Sequence, residues 1–164
     1  MLPGGLNNMA EAPKMNEEQI AEAINGAFTE GITSIEVGER RIFLNVTREI
    51  LLPLCNKMKD ELGFEHVSSV TGVDMKDRFQ VVYHISSYQN KVVTEITVDN
   101  IPRDKPEVES ITPLWGGANW HEREAYDMFG IIFKNHPKLE RLLLEPDFQF
   151  FPLRKDYIPG RRVN

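Results

Sequence analysis

The chain has 164 residues, a net charge of −6, 41% hydrophobic and 27% charged residues, a composition that suits one globular domain with an extended segment. That charge opposes duplex nucleic acid or an anionic bilayer as the main partner, and no apolar run approaches the ~18 residues a membrane span needs. The single cysteine, Cys55, excludes an internal disulfide, a cysteine-based zinc site and any iron–sulfur cluster held by this chain alone.

Residues 1–15 mix Pro, Gly, Asn and Met without period and read as a loose leader, with neither a secretory nor a transit pattern. Asn16 and Gln19 have the spacing of a capping box, and Ile20, Ile24 and Phe28 then recur every fourth residue, which predicts a short helix stopped near Gly31. Ile32 to Val37 and Arg40 to Val46 alternate around Gly38-Glu39 as a hairpin with one buried face. A second helix is expected over about 48–62, with Leu51, Leu54, Cys55, Met58 and Leu62 on one face and Gly63 as its stop; Pro53 moves the regular start toward Leu52. Cys55 lies on that apolar stripe and reads as a core residue. Strands are expected over His66 to Asp74, Phe79 to Ser87 and Lys91 to Val98. The order α-β-β-α-β-β-β predicts an α+β two-layer sandwich with a mixed sheet, one face solvated and the helices on the other.

From Asn100 the character changes. NIPRDKPEVESITPLWGG reads as a long linker, a helix is expected over about 120–129, and Pro137, Pro146, Pro152 and Pro159 space the remainder into an extended tail ending in basic PLRKDYIPGRRVN. Such a tail buries little of its own backbone and should lie across a surface. The chain thus divides into a leader (1–15), an α+β domain (16–99) and a linker, docking helix and tail (100–164).

The helix NWHEREAYDMFG is the densest cluster of chemistry. Asn119 and Glu122 have capping-box spacing, Gly130 supplies the stop, and Arg123 and Asp127 are i, i+4 partners. His121-Glu122 begins the zinc-protease pattern H-E-x-x-H, but position 125 is Ala, so the second imidazole one turn on is lacking. His121, Glu124 and Asp127 share a face that would give a mixed metal site only with help from elsewhere. Glu124 and Asp127 as an acid–base pair lack any further catalytic group. No nucleophile–base pairing is legible in the sequence. A solvated charged face is the bland alternative. Against it, Glu122, Arg123, Glu124 and Asp127 are hemmed by Trp120, Tyr126 and Phe129, and desolvated charges need paired partners within the chain or across an interface. The helix therefore reads as a docking wedge. A small hydrolase using His121, Glu122 or Glu124, and an RNA-binding module using Phe79, Tyr83 and His84, are the competing classes; the second lacks a basic cluster.

ANWHEREAYDMFGIIFKNHPKLERLLL closely resembles the signature of the thirty-kilodalton, or C-type, subunit of respiratory complex I and its relatives. Glu122-Arg123-Glu124, Asp127, Met128-Phe129, His136-Pro137, Leu142-Leu143, the approach Ser110 to Trp115 and the tail Pro152 to Asp156 match in place. Three positions depart: Glu140 stands where a basic residue is usual, with Arg141 beside it, His121 where Tyr is common, and Phe151 where a His often precedes Pro-Leu-Arg-Lys-Asp. The resemblance implies a peripheral-arm subunit without its own cofactor. Its partners would be a hydrogenase-like large subunit and a small iron–sulfur subunit, with clusters and flavin in partner chains. It implies a place on the cytoplasmic face of the membrane, reached only through partner subunits, in an ion-translocating complex of the F-420H2:phenazine or NADH:quinone type, or alternatively in a membrane-bound hydrogenase. The chain's brevity favours a bacterial or archaeal source, and its general likeness leans to the archaeal deazaflavin type. The residues expected at the partner interface are Trp120, Glu122, Arg123, Glu124, Asp127, Phe129, His136, Arg141, Arg154, Lys155 and Asp156.

Overall fold

A computed structural model describes residues 13–160. Most of the leader lies outside that range, as do the last four residues. Within it, Met15 is tied down, its amide donating to Asn90 Oδ1 at 2.8 Å.

Helix α1 (Glu17–Ala27) starts from the anticipated capping box, with the Asn16 and Gln19 side chains each bonding the other's backbone N–H. Its Ile20 and Ile24 are fully buried, a burial worth about 1.5–3 kcal/mol each. Gly31 turns the chain at φ +88° into strand β1 (Ile32–Gly38), which pairs antiparallel with β2 (Arg41–Val46). Helix α2 (Leu51–Asp60) starts one residue before the regular start read from Pro53. Proline is tolerated as its third residue because the first-turn amides have no intrahelical acceptor.

Strand β3 covers His66–Asp74 as expected, β4 begins at Arg78 and ends at Ser87, and β5 (Val92–Pro102) runs four residues past its expected end, so a division at residue 99 falls inside a strand. The sheet order is β1-β2-β5-β4-β3, with β2–β5 parallel and the other neighbours antiparallel. It is the expected mixed sheet of an α+β sandwich. Phe79, Val81, Tyr83 and Ile85 alternate on the buried face of β4, while Gln80, Val82 and His84 lie half-buried on the open one.

The expected long linker contains order that the sequence reading missed. Strand β6 (Glu107–Glu109) pairs in parallel with β7 (Ile132–Lys134), and helix α3 (Ala118–Phe129) forms the crossover between them. Val108, Ile111, Trp115, Ala118, Ala125, Ile131 and Phe133 join the same hydrophobic core as the five-stranded sheet. The Trp115 indole donates to the Phe64 carbonyl at 3.1 Å, so its one polar atom is satisfied inside that core. Helix α3 packs on β3 at Gly72: a Cβ there would lie 2.7 Å from the Phe129 ring.

Candidate docking site

The capping role expected of Asn119 and Glu122 is not what forms. Helix α3 begins at Ala118, after Gly117, without a side-chain cap. Glu122 turns inward instead and is fully buried. Its Oε1 accepts from the Ile111 amide at 2.8 Å, and its Oε2 from the Ser110 and Thr112 hydroxyls at 2.5 and 3.0 Å. These bonds fasten the 110–112 segment to the helix. Burial raises the Glu122 pKa above the usual glutamate value, and the three donors oppose that rise without cancelling it.

Asp127 is also fully buried. Its Oδ2 accepts from three successive amides, Leu142, Leu143 and Leu144, at 3.1, 2.7 and 3.0 Å. Its Oδ1 accepts from Arg141 Nη1 at 3.0 Å. The i, i+4 pairing with Arg123 read from the sequence therefore gives way to Arg141. Burial pushes the Asp127 carboxyl up, but the amides of Leu143 and Leu144, the Arg141 guanidinium and the Leu142 amide outweigh it and hold the pKa below the ordinary aspartate value. With Asp127 turned inward, the mixed metal face of His121, Glu124 and Asp127 does not exist. His121 and Glu124 line a small cleft with Thr71, Met128 and Leu153.

The tail completes α3. An α-helix leaves its last four carbonyls without intrahelical partners. Here the Tyr126 carbonyl takes the Gly130 amide, and the Asp127 carbonyl takes Arg141 Nη1 at 2.7 Å. The Met128 carbonyl takes the Leu153 amide at 3.2 Å, and the Phe129 carbonyl takes Arg154 Nε at 2.6 Å. The last turn carries no basic residue of its own, so two arginines from the tail supply the positive charge that this end of the helix favours. Arg141 Nη2 also donates to the Phe148 and Phe150 carbonyls at 2.6 and 3.1 Å, which closes the intervening loop around it.

Beyond Arg154 the tail reaches the sheet. The Lys155 amide donates to Asp74 Oδ2 at 2.8 Å, and Arg103 bridges Asp74 and Asp156 at 2.7 and 2.8 Å. Burial raises the Asp74 carboxyl, but Arg103 and the Lys155 and Lys76 amides hold it below the usual range. The Arg154 guanidinium lies 5.1 Å from the Phe79 ring centre and 4.6 Å from that of Phe151. Gly130, at φ +75°, leaves room for both: a Cβ there would meet Phe151 at 2.6 Å and Arg154 Nη2 at 2.7 Å.

His136 has no exposed side-chain surface. Its Nδ1 accepts from the Lys138 amide at 3.0 Å, which assigns the proton to Nε2, 3.3 Å from the Asn119 carbonyl. Its 3.9 Å approach to Glu122 is therefore not an ion pair. Burial lowers the His136 pKa; the Asn119 carbonyl opposes that, and Arg123 adds to it.

The remaining anticipated residues divide by exposure. Phe129 packs half-buried on Gly72 and, edge-on, on Phe79. Arg123 donates to the Glu140 and Arg141 carbonyls and stacks on Trp120 at 5.1 Å. Trp120 is 61% exposed, and Glu124, Lys155 and Asp156 are exposed as well. Four of the eight large exposed apolar side chains among the described residues, Trp120, Leu143, Leu153 and Ile158, lie on α3 and the tail. The helix keeps two carboxylates for internal fastening and turns an aromatic, an acid and the tail's aliphatic residues outward.

Sequence reasoning missed Asp74, Arg103, Ser110 and Thr112 as partners. Only Asp74 carries a local signal, its carboxylate accepting the amide two residues on at 2.7 Å, as in an Asx turn. It also missed a nucleophile–base contact. Ser69 Oγ lies 3.0 Å from His84 Nδ1, and His84 Nε2 lies 3.2 Å from Glu95. The three sit side by side across β3, β4 and β5 on the open face, where such a row acts as cross-strand pairing worth about 0.2–1 kcal/mol per pair.

The family described as "Respiratory-chain NADH dehydrogenase, 30 Kd subunit" matches residues 44–163. The chain is similar to the C subunit of the F(420)H(2) dehydrogenase of Methanosarcina mazei, at 41% identity over 87% of this chain and 92% of that one. It is similar to the C subunit of the NADH-quinone oxidoreductase of Geobacter metallireducens, at 34% identity over 82% of this chain and 86% of that one. Among solved structures, a trypsin-resistant fragment (1–134) of Nqo5 aligns with a TM-score of 0.63 and 30% identity, over 74% of this chain and 98% of the fragment. A chain of the membrane-bound sulfane sulfur reductase, an archaeal respiratory membrane complex, shares the fold with a TM-score of 0.76 and 24% identity, over 87% of this chain and 86% of that one. The fastened helix and its returning tail, with the matched residues that build them, are those of a member of the 30-kDa subunit family of the respiratory-chain NADH dehydrogenase, and this chain belongs to that family.

Proposed function

We propose that this chain is the C-type subunit of the peripheral arm of an ion-translocating, complex I-like membrane oxidoreductase. It holds a hydrogenase-like large subunit and a cluster-bearing small subunit in place, and the clusters and flavin reside in those and other partner chains. It lies on the cytoplasmic face of the membrane through its partners, as the membership of its relatives in respiratory complexes suggests; no helix among the described residues is long and apolar enough to cross a membrane. The observation that carries the reading is the outer face of α3 and the tail. Trp120, Leu143, Leu153 and Ile158 are each more than half exposed, while the buried carboxylates behind them, Glu122 and Asp127, are paired within the chain. Exposed apolar and aromatic side chains gathered on one helix and its tail suit a protein interface. The likeness to an F(420)H(2) dehydrogenase chain, 41% identical over 87% of this chain and 92% of that one, spans more of both sequences than the 42% identity to an NADH-quinone oxidoreductase C subunit over 71% and 73%, and on that extent the reading takes the deazaflavin type.

The test is affinity purification of the tagged full chain from detergent-extracted membranes, with metal and flavin analysis before and after the complex is dissociated. Iron and flavin should leave with the partner chains. Replacing Arg123 with Ala should lower partner recovery while the circular dichroism of the isolated chain stays unchanged. A free, cofactor-loaded and active monomer would overturn the proposal.

A further inference from the structure

We propose that the Arg154 guanidinium is a receptor for a carboxylate side chain of a partner protein, at the place where the tail crosses the end of α3. The inference rests on the docking reading above and names the chemistry of one contact within it.

The buried carboxylates at this site are matched inside the chain. Asp127 has Arg141 and three amides, and Glu122 has three donors. Asp74 has Arg103 and two amides. The half-buried Arg154 cation is not matched in this way. Its Nε donates to the Phe129 carbonyl, but neither terminal nitrogen has an acceptor among the described residues. The two nearby carboxylates are already engaged by Arg103. Burial and the proximity of Arg103 lower the Arg154 pKa, and the carboxylates of Asp156 and Asp74 oppose that fall without cancelling it.

The geometry keeps the unpaired end usable. Arg154 is half-buried, and its terminal nitrogens are not among the fully buried polar atoms that lack a partner. Phe79 and Phe151 hold the guanidinium plane, and the Phe129 carbonyl fixes its Nε edge. The Nη1/Nη2 end, with Nη2 seated over the Gly130 backbone, keeps some exposure, and it is the edge of the fork that suits a bidentate carboxylate. A guanidinium already ordered by stacking loses little further freedom on binding. Leu153, 55% exposed, precedes it in the chain, and Ile158, 58% exposed, follows four residues on. Arg103, Arg154 and Lys155 gather here against Asp74 and Asp156 in a chain of net charge −6, a local positive balance that suits an acidic surface. The occupant is an aspartate or glutamate on a partner segment with apolar neighbours.

The experiment uses the full chain alone and the detergent-extracted complex. Both are treated with an arginine-selective dicarbonyl reagent, phenylglyoxal, and mapped by mass spectrometry. Arg141, whose terminal nitrogens are all engaged, serves as the internal reference. Position 154 should react in the free chain and be protected roughly thirtyfold or more in the complex, the factor expected for a desolvated interfacial charge pair. In a second arm, the complex bearing Arg154→Lys is treated with a water-soluble carbodiimide, which joins an amine to a carboxylate with loss of water. An amide bond from position 154 to an Asp or Glu of a partner chain confirms the contact. If partners co-purify but position 154 reacts equally in both states, or joins only to Asp74 or Asp156 of its own chain, this inference fails and the docking reading stands. If no partner co-purifies, both fail.

Discussion

Replacing Asp127 with Asn should free the tail while leaving the sheet intact. The substitution keeps size and shape but makes one carboxylate oxygen an NH2 group. In the wild type Oδ2 accepts three backbone amides, at 2.7–3.1 Å, and Oδ1 accepts Arg141. If the asparagine oxygen stays toward the amides, its NH2 faces the guanidinium; if it flips, the NH2 faces three N–H groups. Backbone amides cannot reverse their polarity, so neither orientation is satisfied. Breaking a buried pair by removing one partner costs about 3–5 kcal/mol, which corresponds to roughly two to four powers of ten in the opening equilibrium. The readout is amide hydrogen exchange. Protection at Leu142, Leu143 and Leu144 should collapse by that factor, and trypsin should cut faster after Lys138 and Arg141. Central-strand amides such as Tyr83 and Ile96 should keep their protection, because the tail opens as a separate unit. Unchanged protection at 142–144, or equal loss in the central strands, would refute the reasoning.

Glu122→Gln should behave in the opposite way, changing stability at neutral pH by less than about 1.5 kcal/mol. The glutamine oxygen can keep the Ile111 amide while the NH2 donates to the Ser110 and Thr112 hydroxyls, which can rotate to accept. Because the folded pKa of Glu122 is raised, its stabilising contribution is complete below the unfolded value of 4.5 and declines as pH rises through the folded value. Urea titrations should therefore show the variant gaining on the wild type as pH rises from acid toward neutral; a parallel pair of curves would refute this. His136 has a lowered pKa, so wild-type stability should fall as pH drops below the unfolded value of 6.5. His136→Asn keeps an acceptor for the Lys138 amide and should flatten that slope; an unaltered slope would exclude His136 as its source. Gly72→Ala places a methyl 2.7 Å from Phe129 and 3.3 Å from Ile131, and should cost about 1–3 kcal/mol by overpacking. A melting temperature equal to wild type would show that α3 rides on β3 more loosely than the structure indicates.

What the sequence made legible was local. The α1 capping box was readable because Asn16 and Gln19 are three residues apart and satisfy each other. Strand β3 was readable because period-2 alternation ends at the Met75–Asp77 turn. Strands β6 and β7 were not readable, since each is three residues long and its partner lies beyond a whole helix. The Ser69–His84–Glu95 row was invisible for a similar reason: its members become neighbours only through sheet register. The start of α3 was misplaced because Asn119 and Glu122 have capping-box spacing, and spacing alone does not reveal that Ser110 and Thr112 claim the carboxylate first.

The same distinction applies to the charged helix. Crowded charges among aromatic residues do require partners, and that inference from NWHEREAYDMFG was physically sound. What the sequence could not say was where the partners lie. Glu122 finds them 10 to 12 residues upstream, and Asp127 finds them 14 to 17 residues downstream. Both carboxylates hold the surface up from inside instead of presenting themselves on it. On the docking function proposed above, the binding face of this charge-dense motif includes uncharged residues, Trp120 on the helix and Leu143, Leu153 and Ile158 on the tail that the charges hold in place. This reading makes the two carboxylates separable by experiment from the face they support. Asp127→Asn should lose the tail and Leu143 with it, whereas Trp120→Ala should weaken partner binding and leave exchange at 142–144 unchanged.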